Sequence, residues 1–65
     1  MERGTIKSYD RNSGGTISRS GGIDVRFSVT RLLGNRNDLK QGDSVWFEIQ
    51  VMQSIHAAIN IRKCL

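Results

Sequence analysis

Gly42-Asp43-Ser44-Val45-Trp46-Phe47-Glu48-Ile49 is the stretch that decides the fold. Gly42-Asp43 is turn chemistry, and after it Val45, Phe47 and Ile49 alternate with Trp46 and Glu48. A strand sends successive side chains to opposite faces, so a period of two predicts one apolar face on a core, with Trp46 and Glu48 outside. Upstream, Val25, Phe27 and Val29 alternate in the same way with Arg26, Ser28 and Thr30. Phe27 shares the phase of the two valines, which predicts a core residue.

The rest of the chain reads outward from these two runs. Gly4 to Asp10 is a first strand with Ile6 inward, and Asp10-Arg11-Asn12-Ser13-Gly14-Gly15 is a turn by composition. Thr16 to Arg19 is a short second strand, closed by the turn Ser20-Gly21-Gly22. Arg31 to Leu39 is a longer connection, with Leu32 and Leu33 expected to anchor it to the core. A last strand, about Ala57 to Arg62, is expected to carry Ile59 and Ile61 on one face. Ile55-His56-Ala57-Ala58 admits a helical turn, but it is too short and too poorly capped to compete. Five short strands at spacings of about 8–12 residues predict an all-β fold, a small antiparallel barrel whose closure removes exposed edges.

The 65 residues make one domain, 1–65, which buries only about 60% of the surface its unfolded form exposes. Cys64 is the only cysteine and His56 the only histidine, so neither an internal disulfide nor a zinc site is expected, and no cofactor. The chain enters polar, strand-like residues directly after Met1, and no apolar run approaches the roughly 18 residues of a membrane span. A cytoplasmic protein is expected. Asp10, Asp24, Asp38 and Asp43 fall at turns or strand edges, where Asp bonds its own backbone. No carboxylate pair or nucleophile motif is placed for catalysis. A domain this small is expected to lack the usual substrate cleft of about 300 Å³ or more. The reading is a binding module without a small-molecule substrate.

Ten Lys and Arg against six Asp and Glu give a net charge of +4. The bland reading is a solvated basic surface; the functional one is attraction to a polyanion, most simply nucleic acid. No stretch forms a basic amphipathic helix, which argues against a membrane surface.

The order of residues is more specific than the pattern. Gly4-Thr5-Ile6-Lys7 resembles the opening strand of bacterial cold-shock proteins. Asp24-Val25 with Thr30 and Leu32 resembles their third strand and the turn after it. Leu39 to Ile49 is similar to their fourth strand with its Gly corner, and Ala58-Ile59-Asn60-Ile61 to their closing Ala-x-Asn-Val. The resemblance covers essentially the whole chain. It implies a five-stranded barrel of the oligonucleotide-binding (OB) type that binds single-stranded RNA or DNA. In that family bases stack on aromatic side chains of the first three strands, while basic residues follow the phosphates.

Both binding signatures of the family are altered here. Ser13-Gly14-Gly15-Thr16-Ile17 stands for Lys-Gly-Phe-Gly-Phe-Ile, one residue short, with Thr16 at an aromatic position. Val25-Arg26-Phe27-Ser28 stands for Val-Phe-Val-His, with Arg26 at the stacking Phe and Ser28 at the His. Ser8 takes the place of a Trp, and Tyr9 alone remains aromatic on that face. Each base–aromatic stack contributes roughly 1–3 kcal/mol, so losing three would remove about 3–9 kcal/mol if the effects added. Arg26 offsets part of this, because a guanidinium both stacks on bases and pairs with phosphate.

By alternation, Lys7, Tyr9, Thr16, Arg26 and Ser28 share one outward face, with Arg11 on the adjoining loop. They are the candidate nucleic-acid contacts, acting weakly and without sequence preference. Trp46 projects outward on a strand that does not carry the stacking face. It reads either as a residue lying flat over its own strand or as the anchor of an interface with a protein partner or a second copy, with Met52 and Ile55 extending the patch. The alternative function is therefore a barrel that has exchanged nucleic-acid binding for protein interaction.

Overall fold

In the computed structural model, which describes residues 1–64, the decisive stretch forms the start of β4 (Ser44–Met52). β4 turns back as β5 (Ile55–Lys63), and β1 (Glu2–Asp10), β2 (Gly14–Arg19) and β3 (Val25–Ser28) precede the pair. The order around the closed barrel is β1-β2-β3-β5-β4. Four of the five pairings are antiparallel, and the closing one, Arg26 opposite Ala57 between β3 and β5, is parallel. The small five-stranded all-β barrel is as expected, and it departs from antiparallel at this one pair for a simple reason. A closed ring with an odd number of strands cannot alternate direction throughout. The connection that this parallel pair needs runs over residues 29–54 and includes β4; its first part, Val29 to Asp43, carries single 3₁₀ turns at Val29–Arg31 and Arg36–Asp38.

Ile6, Ile17, Val25, Phe27, Val45, Phe47 and Ile61 are buried in one cluster, as the alternation predicts, joined by Leu39 and Ala58. Ile49 is half-buried at its margin. Other expectations shift. Gly14 and Gly15 are strand residues rather than turn residues. Val29 stays buried but leaves the strand to open a 3₁₀ turn. Leu32 packs against the core, while Leu33 is 51% exposed and held by its backbone N–H donating to Ile61 O at 2.7 Å; the second anchor of that connection is Leu39. Ile55 to Ala58 forms no helical turn, as expected, and the last strand begins at Ile55 rather than about Ala57.

Two register shifts account for the larger departures. In β5, Trp46 faces Arg62 and Glu48 faces Ile59, so Asn60 and Ile61 together oppose Phe47. Asn60 has φ +51°, the left-handed region that Asn tolerates best after Gly, and its amide donates to Glu48 Oε2 at 2.6 Å. This bulge reverses the phase: Ala58 and Ile61 point inward, while Ile59 does not share Ile61's face. In β1, Ile6 pairs with Ile17 and Ser8 with Thr16, leaving Lys7 as the extra residue.

No helix among the described residues is long and apolar enough to cross a membrane. No group of three or more His, Cys, Asp or Glu among them is arranged to hold a metal ion.

Candidate nucleic-acid interface

The β1 bulge decides which side chains share the outer face. Ser8 pairs with Thr16, Thr16 with Arg26, Arg26 with Ala57 and Ala57 with Gln50, so these five form one row across the barrel. Beside this row lies an open depression of about 390 Å³. Gly14 and Gly15 form part of its lining, together with Ser8, Ser13, Thr16, Arg26 and Ser28. It exceeds the size expected for so small a domain, but it is a shallow, open surface.

The glycine pair is sterically required. A Cβ on Gly15 would lie 2.1 Å from Ser8 O, and one on Gly14 would lie 2.0 Å from Phe27 O. Gly14 also has φ +146°, which side chains rarely adopt. At this segment β2 therefore approaches the backbones of β1 and β3 too closely for any side chain.

Of the expected contacts, Arg26 is exposed and makes no ion pair or side-chain hydrogen bond among the described residues, and Thr16 stands half-buried beside it. Ser28 lies at one end of the depression. Its hydroxyl accepts from Thr30 N at 3.3 Å and lies 2.9 Å from Thr30 Oγ1, which caps the first 3₁₀ turn. Lys7 is exposed, and its ammonium donates to Asp24 Oδ2 at 2.7 Å. An exposed pair of this kind contributes only about 0–1 kcal/mol, so a phosphate can compete for Lys7 at small cost.

Tyr9 does not join this face, which corrects the alternation. After the bulge it returns to the inward phase opposite Gly15, and its ring stacks on Phe27. Its hydroxyl donates to Arg36 O at 2.7 Å. Burial raises the phenol above its ordinary pKa, opposed by Arg36, reinforced by Asp10 and opposed again by Arg11.

Arg11 lies on the β1–β2 turn, where its carbonyl accepts from the Arg36 guanidinium at 3.4 Å. Tyr9, Arg11, Arg36 and Lys40 line a second depression of about 270 Å³. Sequence reasoning missed Arg36 and Lys40. The signal lay in the long connection Val29 to Asp43, where Arg31, Arg36 and Lys40 stand against Asp38 and Asp43.

Trp46 is outward and 38% exposed, with Arg3 and Arg62 as its cross-strand neighbours. The Arg3 guanidinium carbon lies 5.7 Å from the ring centroid. Such an exposed cation–π contact contributes about 0.5–1 kcal/mol. Met52 and Ile55 face each other at the far end of the hairpin, six residues along β4 from Trp46 or roughly 20 Å at strand rise. They do not extend a patch around Trp46, contrary to expectation. No protein-family model matches the chain, and no curated protein shows significant similarity to it.

Proposed function

We propose that this protein is a non-catalytic, cytoplasmic nucleic-acid-binding module that holds single-stranded RNA or DNA weakly and without base preference. The observation that carries this reading is Arg26, an exposed guanidinium with no acidic partner among the described residues, centred on an open polar row of a five-stranded barrel with net charge +4. Ser8, Thr16 and Ser28 supply hydroxyls for phosphate and sugar on either side of it. Lys7 exchanges Asp24 for phosphate, and Arg11 with Arg36 and Lys40 continues the positive surface toward the second depression. With few aromatic platforms, backbone charge dominates. Non-specific binding of that type to duplex DNA has Kd on the order of 10⁻⁴ to 10⁻⁶ M at physiological salt, and the same range is expected here.

The test is fluorescence anisotropy of labelled oligonucleotides of several base compositions at two salt concentrations. Affinity should fall steeply between about 50 and 200 mM salt and be similar for all compositions. Salt-independent binding, or none at low salt, would overturn the proposal.

A further inference from the structure

Outside β2 and β3, the most unusual surface is the row Arg3–Trp46–Arg62 on the outer side of β1, β4 and β5. We infer that this row is a second contact for the same single strand, with Trp46 as a base-stacking platform and the two arginines as phosphate clamps. The inference rests on the nucleic-acid reading above and adds a site on a different wall of the barrel.

Three observations carry it. Trp46 is the only tryptophan in the chain and is turned away from the core by the alternation that buries Val45 and Phe47. Arg3 and Arg62 are the directly opposite cross-strand neighbours of Trp46, about 4.5–5.5 Å away at Cβ, and the Arg3 guanidinium lies over the ring. Neither Arg3 nor Arg62 makes an ion pair or side-chain hydrogen bond among the described residues. The nearby carboxylates are engaged elsewhere: Glu2 with Arg19, Asp43 with Lys63, and Glu48 with the Asn60 amide.

Two unbalanced positive charges call for an anionic partner, and the ring between them sets its kind. A nucleotide matches both features, because every base has a π-face and carries phosphates on either side. Protein hot spots also draw on Trp and Arg, but two cations left without an acidic partner among the described residues favour a polyanion over a protein surface of mixed charge. Arg3, already over the ring, is itself a stacking surface for an adjacent base. A strand reaching from the Arg26 row to Trp46 follows the barrel wall of a body 30 × 22 × 18 Å in extent. That span agrees with the roughly 4–16 nucleotides that one OB barrel covers.

Because Trp46 is unique, its intrinsic fluorescence reports this site alone. An oligo-dT of about 12 nucleotides is titrated into the protein, with inorganic polyphosphate of matched charge as the probe without bases. Anisotropy of labelled oligo-dT is followed in parallel. Oligo-dT should quench Trp46 and polyphosphate should not, and Arg3→Gln with Arg62→Gln should weaken the quench. Trp46→Leu, with folding checked by thermal melting, should lower oligo-dT affinity roughly 5- to 150-fold. Should Trp46→Leu not fold, the quench and the arginine pair still decide. Oligo-dT binding seen by anisotropy with unchanged Trp46 emission, or equal quenching by polyphosphate, would overturn the inference and leave the Arg26 face standing. Absence of binding by either readout would overturn both.

Discussion

The rings of Tyr9 and Phe27 lie 15° from parallel with centroids 6.1 Å apart, and they meet across Gly15, which pairs with both residues. Such a pair contributes about 0.5–1.5 kcal/mol beyond the area it buries. The contact exists because Lys7 is inserted as a bulge, which returns Tyr9 to the inward phase, and because Gly15, without a Cβ, lets the β1 backbone at Ser8 and Tyr9 approach β2 closely. Tyr9 therefore supports the groove from beside the core.

Tyr9 is the only tyrosine, so phenolate absorbance titrates it alone. Burial raises its pKa, so the midpoint should lie above the usual value of about 10. With the folded value above the unfolded one, this group's stabilisation is complete below the unfolded pKa and is lost as pH rises through the folded one. The native protein should therefore lose more stability above about pH 10 than Tyr9→Phe does. An unshifted titration would contradict the packing.

Gly15→Ala should be strongly destabilising, by about 2–3 kcal/mol or more, because its Cβ would meet backbone oxygen rather than a movable side chain. Gly34→Ala has open space around the new Cβ and serves as the control, with little change expected. Chemical denaturation of the two variants makes the comparison.

Strand phase was legible wherever a run stayed regular, which is why Val45, Phe47, Val25 and Phe27 are buried as the alternation predicts. It failed beyond a bulge. Lys7 and Asn60 each add one residue to a strand, and a one-residue slip moves every following side chain to the other face. No local composition marks Lys7 as an extra residue, so Tyr9 was assigned outward. Asn60 carried a usable signal, because Asn is one of the few side chains that tolerate positive φ. On the candidate site, Arg26 and Thr16 could be placed outward from alternation alone. Arg36 could not, because its position depends on the path of the fifteen-residue β3–β4 connection, which has no repeating pattern.

Lys7 and Arg26 should differ in their effect on binding. Lys7 is balanced by Asp24 and Arg26 by nothing among the described residues. Arg26→Ala should weaken every oligonucleotide alike and lower the salt slope by about 0.7. Lys7→Ala should weaken binding less, and Asp24→Asn should tighten it by releasing Lys7. Equal losses for the two alanine variants would show that the ion pair does not persist in solution.

The β4–β5 hairpin turns through Gln53 and Ser54, at φ +50° and +69°. A two-residue turn with both φ values positive favours Asn-Gly. Gln53→Asn with Ser54→Gly should therefore stabilise the protein by about 1 kcal/mol, raising Tm by roughly 4–8 °C. The turn lies apart from the Arg26 row, so oligonucleotide affinity should be unchanged. A lower Tm would contradict the turn geometry.

Restoring aromatics tests whether the open row is a stacking face that has lost its platforms. Thr16 and Arg26 are directly paired, so Thr16→Phe with Arg26→Phe places two rings side by side on the outer wall. Thr16→Phe alone adds one ring while keeping the guanidinium, and it should tighten single-strand binding by about 1–3 kcal/mol with the salt slope retained. The double variant gains a second stack but gives up a phosphate contact, so its slope should flatten by about 0.7. Gly14 and Gly15 hold their segment close to β1 and β3. That close approach fixes the height at which a ring at 16 meets a base, so the gain should be partial. If both variants melt normally and neither binds more tightly, Arg26 already stacks on bases as well as a Phe would, and its loss in Arg26→Ala should exceed that of a single ionic contact.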